Sequence, residues 1–532
     1  MRKSIRTLAL VIAAVLCIGA VSVFGAGAVT ENGLTYLEKN GGLILYSAGS
    51  GLSGGVEIPS AVDGLSVIEI EKNVFANATK LEYVKIPASV VKIGENAFSG
   101  CPMLESVVFE KSDETVTLGE RVFSDCPSLK NLVLPQYLKN IPAGAFSGCA
   151  LPSVTIPDGV KIIGVEAFLD NRSMVSATIP ASVTSIGNHA FYGCRKLQSF
   201  NVADDNAYFC GADGCLYTKD KTKLIQYGLG KPGTEFTVPA GVTEIGSGAF
   251  AFSSLKKVIL PEGLETIGYG AFADNTSLFS VEFPSTLTEI CESAFYRCLT
   301  LKSITIPATV EEYRSAFAFS GLESVRIMSG VKEIPVDAFT GCASIKGIVI
   351  PDNVTEIKSA FLDCTSLREI WIPASVTAIA DDCFSGCTDL TIVAPKGSFA
   401  EQYAVRKGFA FRASSSQGDD EISKIVISSP NGIKDIRWKY KAHLIAKADL
   451  PKGYRLVWYK GKDRVSTGPD YTTGMLTANA EYTARIETED GKPVSTSAQE
   501  KPLTLNVKDD FFTKIISFFV RLFGGGTQVF EP

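Results

Sequence analysis

Phenylalanine recurs at positions 75, 98, 123, 146, 168, 191, 250, 272, 295, 317, 339, 361 and 384, at intervals of 22 to 25 residues broken by one gap of 59. Nothing else in the chain limits its fold as strongly. A unit this short cannot bury its own apolar face and must stack on its neighbours, which is the condition for a solenoid. Around each Phe the same pattern is written, as in "LEYVKIPASVVKIGENAFSGC" (81–101) and "LKSITIPATVEEYRSAFAFS" (301–320). Its consensus is L-x-x-V-x-I-P, then V-x-x-I-G, then x-x-A-F-x-x-C.

The spacing inside one unit dictates its local structure. Val84 and Ile86 alternate with Lys85, which predicts a short strand with one buried face. Pro87 has no N–H and ends that strand. A second extended piece runs from Val90 to Ile93 and turns at Gly94. Ala97-Phe98 then places a large ring inside, on a turn or one helical turn. About 23 residues leave no room for a full helix as well, so the expected fold is about 13 coils of short parallel strands with little helix.

These residues carry a resemblance. L-x-x-V-x-I is similar to the strand half of the leucine-rich repeat, and the whole unit resembles the BspA-type subclass. The likeness runs over 29–412, about 70% of the chain. "GLTYLEKNGGLILYSAGSGLSGGVEIPSAVDGLSVIEI" looks like the family's N-terminal cap, and "APKGSFAEQYAVRKGFAF" (394–411) like its C-terminal cap. The resemblance implies a secreted or cell-surface protein, adhesin-like, whose partner is an extracellular protein or glycan on host or neighbouring cells.

The 59-residue gap holds "NAYFCGADGCLYTKDKTKLIQYGLGKPGTEFTVP" (206–239). Asp213-Gly214 and Lys219–Thr222 are turn signals, so "CLYT" and "KLIQY" are expected to pair as a hairpin insertion near 203–235. Insertions of this kind map to loops, and a structural elaboration and a ligand-binding loop both remain open.

The flanks differ from the repeats. Arg2, Lys3 and Arg6 precede an apolar run from Leu8 to Phe24 that closes on Ala26-Gly27-Ala28. Residues 1–28 therefore read as a secretory signal, and export is expected. Residues 413–421 are a polar linker. Over 422–507, alternating segments such as "RLVWY" and "EYTARIET" lie between turn residues around Trp458, which predicts an all-β, immunoglobulin-like sandwich. This stretch has 14 Lys/Arg against 9 Asp/Glu, while 29–421 has 31 against 45. Such asymmetry suits contact with an anionic surface, though uneven but solvated surface charge is the plainer reading. The tail, 508–532, is amphipathic and apolar. Drawn as a helix from Phe511 to Phe523, it spans ~20 Å, short of a ~30 Å bilayer core. Folding back, docking on a partner protein and lying on a membrane surface all stay open.

Chemistry finds few residues to use. After the signal there are twelve cysteines, eight of them three residues past a repeat Phe: Cys101, Cys126, Cys149, Cys194, Cys298, Cys342, Cys364 and Cys387. Ala78, Asn171, Ser253, Asn275 and Ser320 hold the same place elsewhere. The position wants a small residue, usually able to hydrogen-bond, and buried free Cys fits it. Three consecutive coils with Cys cannot pair completely as disulfides. Cys210 and Cys215, flanking the Gly211–Gly214 turn, are the one pair for which a local bridge is an alternative. Cys291 and Cys383 stand off the series. No C-x2-C pair or His companion marks a metal site, and no nucleophile or phosphate motif appears. Of the two histidines, His189 is expected at the surface and His443 in a strand. The reading is of a protein without catalytic residues, metal or cofactor, and a net charge of −6 does not call for nucleic acid.

A ligand would meet the outward row of the stacked strands: Lys85, Val108, Val133, Thr155, Thr178, Thr237, Ile259, Glu282, Thr305, Arg326, Val349 and Trp371. Most of it is bland. Its C-terminal end is not, because Arg326, Val349 and Trp371 follow one another with Arg368 and Glu369 beside them. Exposed Trp next to Arg is a hot-spot composition; burial of Trp371 under the cap or the next domain is the alternative. The competing functional class is a structural or assembly component of the envelope that makes its contacts through the C-terminal domain and tail.

Overall fold

The structure, a computed structural model, describes residues 28–414 and, after them, eight strand segments between 426 and 508. The signal segment, most of the linker and the apolar tail lie outside the described residues. The chain divides into two compact units after Arg412.

Within the first unit most coils contribute two short strands, which pair in parallel with those of the next coil in two rows, each broken into several short sheets. In one coil, Leu81–Ile86 pairs in parallel with Ser106–Phe109, placing Val84 opposite Val107 and Lys85 opposite Val108. Lys92–Ile93 joins the second sheet between Ile70 and Leu118. Val84, Ile86 and Ile93 are buried, and the strand stops at Pro87 as its missing N–H requires. Gly94 follows because the coils pass too closely for a side chain. A Cβ there would stand 2.4 Å from the backbone nitrogen of Lys72 in the preceding coil.

The A-F turn forms a corner with two left-handed residues, such as Asn96 (φ 53°) and Gly100 (φ 71°), a conformation Asn and Gly adopt most readily. Between them the Phe ring points inward. Phe75, Phe98, Phe123, Phe146, Phe168 and Phe191 form one stack, with centroids 4.9 to 5.7 Å apart and planes within 13°. Such offset parallel stacking adds to the burial of each ring.

The gap in the Phe series conceals another coil. Tyr227 stacks on Phe250 at 5.1 Å and donates its backbone N–H to Ala249 O at 2.9 Å, the bond most corner Phe residues make to the following coil. "CLYT" and "KLIQY" do pair, as Cys215–Thr218 with Lys223–Gln226. But Phe209–Ala212 adds a third antiparallel strand, and Lys223–Gln226 then runs parallel to Glu244–Ile245 as part of a coil. With the N-terminal and C-terminal turns the solenoid has about 16 turns rather than 13.

This three-stranded insertion repeats the construction of the N-terminus. There Ala28–Glu31, Leu34–Lys39 and Gly42–Ala48 form the same meander, with the last strand again parallel to the next coil. Tyr36 faces Leu45 as Tyr217 faces Leu224. Asn32-Gly33 and Asp213-Gly214 both turn through positive φ. Both tyrosine hydroxyls are buried without a partner. The insertion is thus a second N-terminal cap inside the array. It separates two hydrophobic cores, one from Leu34 to Leu216 and one from Cys215 to Ala404. Residues of one strand alternate between them, Leu216 facing the first core and Tyr217 the second.

At the C-terminus the helix Phe399–Lys407 covers the last coil. Ser398 caps it by accepting from the Glu401 N–H, and Gly408 (φ 78°) ends it, as Gly does at the left-handed position after a helix. Phe384 closes its stack edge-on against Tyr403 and Phe409.

In the second unit the described strands form a three-stranded antiparallel sheet and a five-stranded sheet. Trp458 is fully buried in the strand Tyr454–Lys460, which pairs with both Asp463–Thr467 and Ala480–Thr488. His443 opens the strand His443–Lys447.

Candidate functional site

The cysteines resolve into scaffold. Each of the eight thiols donates to the carbonyl of a corner Phe in the preceding coil: Cys101 to Phe75 O at 3.1 Å, Cys298 to Phe272 O at 3.1 Å, Cys387 to Phe361 O at 3.3 Å. Where Asn replaces Cys, its amide makes the same bond, Asn171 to Phe146 O at 2.7 Å and Asn275 to Phe250 O at 2.9 Å. The slot exists because the turn leaves one buried carbonyl per coil in need of a donor. Cys383 occupies the Ala position before Phe384 and is buried, while Cys291 takes the Gly position after Ile290 and is half-buried.

Cys210 and Cys215 are both free thiols. Cys210 lies opposite Tyr217 and Cys215 opposite Ala212, so they sit diagonally across the turn rather than face to face. Burial pushes the thiols of Cys342 and Cys387 up to about 11 and that of Cys194 up to about 12. Burial first, then Glu289, raises Cys291 to about 11. Because reaction needs a sulfur that the reagent can reach as well as the thiolate, alkylation of native protein at pH 8 is expected to label half-buried Cys210 before the eight buried corner cysteines. Peptide mass spectrometry reads the order. Corner labelling at the Cys210 rate, or a Cys210–Cys215 peptide two mass units light, would contradict this assignment.

The outward row is arranged as its strand pattern requires. Val108, Val133, Ile259 and Val349 are exposed, Val133 to 82%. At the C-terminal end the strands Gly347–Val349 and Glu369–Trp371 run in register, with Val349 beside Trp371 and Gly347 beside Glu369. Trp371 is half-buried. Its indole lies across Gly347, Cζ3 being 3.7 Å from where a Cβ would stand. Arg326 holds the equivalent place in the strand Ser324–Ile327 and is also half-buried, which lowers the pKa of its guanidinium. Glu369 is clasped by Arg412 of the final strand. Arg368 points elsewhere, to Thr365 O at 3.1 Å and Asp389 at 3.4 Å. The structure therefore joins Val349, Trp371 and Glu369 in one patch and turns Arg368 away from it.

Sequence reasoning missed a second place. His189 is not a surface variation: it is half-buried, and its Nε2 is buried without a partner. Burial lowers its pKa, with Glu166 opposing more weakly. It belongs to a cleft of about 420 Å³ lined by Glu166, Tyr192, Tyr269, Asp274 and Tyr296, among others. No spacing rule joins residues 166 and 296. The one available signal was the 59-residue gap, which falls between them.

The model of the BspA type leucine rich repeat region matches residues 56–173, 111–212, 231–316 and 313–406. The interval between 212 and 231 holds the second and third strands of the second cap. Among solved structures the chain is similar to a leucine rich cell surface protein from Faecalibacterium prausnitzii A2-165, at 26% identity over 73% of this chain and 99% of that one, with a TM-score of 0.45. It is also similar to a leucine-rich repeat protein from Bacteroides ovatus, at 27% identity over 73% and 100%, with a TM-score of 0.47. The Pneumococcal vaccine antigen PcpA is 22% identical over 73% and 99%, with a TM-score of 0.48. No curated protein matches the chain.

Proposed function

The chain belongs to the BspA type leucine-rich repeat family, and on that premise we propose that it is an exported, surface-associated binding protein, not an enzyme. The solenoid is the binding element and its partner is an extracellular protein. The observation that carries this reading is the patch of Val349, Trp371 and Glu369 on adjacent parallel strands, with Val349 half exposed and Cζ3 of the indole beside Gly347. A large aromatic held on a rigid strand loses little conformational freedom on binding, which makes such residues frequent anchors. The remaining row offers the pair Val108 and Val133 on consecutive coils and Ile259 by itself, without an aromatic ring at the equivalent places. In the same proposal the second unit is an immunoglobulin-like sandwich, a reading supported by its two sheets and the buried Trp458. A glycan partner differs from this reading in needing polar side chains around the ring, where Glu369 with Arg412 and Thr391 are the neighbours on that face.

A second reading rests on charge. The second unit's excess of Lys/Arg suits attachment to an anionic envelope, which makes the chain an assembly component. Capture assays on the full chain and on 29–412 separate the two. Retention of partners by the solenoid alone supports binding through the repeats, and loss on removing 422–532 supports assembly. Within the first reading, Trp371→Ala is expected to weaken capture at least ten-fold, about 1.4 kcal/mol, with the urea midpoint unchanged. Capture equal to that of the parent would exclude the patch.

A further inference from the structure

The cleft around His189 arises where the row of corners is interrupted. Along most of the solenoid each corner donates backbone N–H groups to the next, as Glu166 to Asn188 O, Phe168 to Ala190 O and Asp170 to Tyr192 O. Among the described residues the series ends with these bonds and resumes at Tyr227 and Gly248. The Tyr227 coil has no corner of its own. It continues as Gly228-Leu229-Gly230, so close to its neighbour that Cβ atoms would stand 2.5 Å from Gly214 O and 2.3 Å from Lys196 O. Side chains of the corners on either side meet across the space it leaves. The ring of His189 lies 5.1 Å from Tyr192 and 5.9 Å from Tyr269, and Tyr192 meets Phe252 edge-on at 5.3 Å.

Three properties define what this space suits. Its rings come from Tyr192, Tyr269, Tyr296 and His189, with Tyr269 49% exposed. Its charged lining is acidic, Glu166 and Asp274, with no Lys or Arg in it. Arg297 approaches Asp274 at 3.5 Å, whereas Glu166 has no ion-pair partner among the described residues. Next door, the guanidinium of Arg195 sits 4.3 Å above the ring of Phe252, so the same band of aromatics already holds one cation of the chain itself.

We propose that this cleft binds a primary ammonium or guanidinium group, as carried by a lysine or arginine side chain of a partner polypeptide or by a free alkylamine. Cations are drawn to the faces of tyrosine rings. Carboxylates of one sign in a partly enclosed site add to that attraction. A neutral alcohol gains the ring contact without the charge, and it provides the control. The site lies apart from Trp371, so it stands or falls separately from the strand-face reading.

The chain has two histidines, so its labelled imidazole NMR spectrum has two residues to assign, and His189→Ala assigns them. The intact protein is titrated with n-butylammonium, with the peptide acetyl-Gly-Lys-Gly-amide, with n-butanol and with glucose. Saturable shifts of the His189 signals are expected with the first two and not with the others. Tighter binding of the peptide assigns the guest to a polypeptide, and tighter binding of n-butylammonium to a free amine. Glu166→Gln, at a half-buried position, and Tyr269→Ala, at an exposed one, are expected to weaken the shift at least five-fold, while Trp371→Ala leaves it unchanged. No saturable response to either cation, an equal response to n-butanol, or a response to glucose alone would overturn the proposal.

Discussion

Phe272→Ala is expected to destabilise the solenoid by ~3–5 kcal/mol, the range for removing a buried aromatic ring and leaving a cavity. Phe272 is fully buried, stacked between Phe250 at 4.9 Å and Phe295 at 5.0 Å with planes within 6°. Neither neighbour can relax into the space, because each is held by its own corner and by a further ring beyond. The effect should also be felt along the array, since each coil is stabilised only by the coils it touches. Urea unfolding followed by far-ultraviolet circular dichroism measures it, as a lower midpoint and a broader transition. Phe319→Ala is the comparison, because Phe319 lies on the outside of a corner and is 47% exposed. It should cost about 1 kcal/mol or less. Equal effects for the two would show that the inner stack does not hold the coils together.

The second large effect concerns the slot three residues after Phe. Asn275→Leu is expected to cost ~3 kcal/mol or more, and Asn275→Cys about 1 kcal/mol or less, in the same assay. Asn275 is fully buried, donates to Phe250 O at 2.9 Å and Phe272 O at 3.0 Å, and accepts from the Ser253 hydroxyl at 2.6 Å. Leucine has a similar size but removes three hydrogen bonds, each worth ~1 kcal/mol, and leaves the Ser253 hydroxyl without an acceptor in a place water does not reach. Phe250 O keeps the Ser253 N–H and Phe272 O the Cys298 thiol. Cysteine keeps the bond to the preceding Phe, as Cys298 does one coil later. A near-neutral Asn275→Leu would mean that the slot selects for volume alone.

The slot also shows how far residues can be read without coordinates. Comparing Cys101, Asn171 and Ser253 across the repeats identifies a small, buried, usually hydrogen-bonding position, and the structure supplies only its partner, the preceding Phe carbonyl. The strand ending at Pro87 and the turn at Gly94 were equally legible, because each follows from backbone chemistry within a few residues. His189 was misread for the opposite reason. Its neighbours in sequence are those of any corner, and beside Tyr192 its ring meets Tyr269, far along the chain.

The sequence by itself determined the coil: its length, its two strands, its inward Phe, and the cysteines as scaffold. A strict repeat turns distant contacts into local ones, since whatever lies one period away must lie one coil away. Tertiary structure alone decided what happens where the period fails. It made Tyr227 a coil without a corner, turned the hairpin into a second cap between two cores, and brought Glu166, His189 and Tyr269 around one cleft. It also turned Arg368 away from Trp371 toward Asp389. Periodicity specifies which coils are neighbours, but not which side chains meet when one coil lacks its corner, because that depends on how closely the flanking backbones pack.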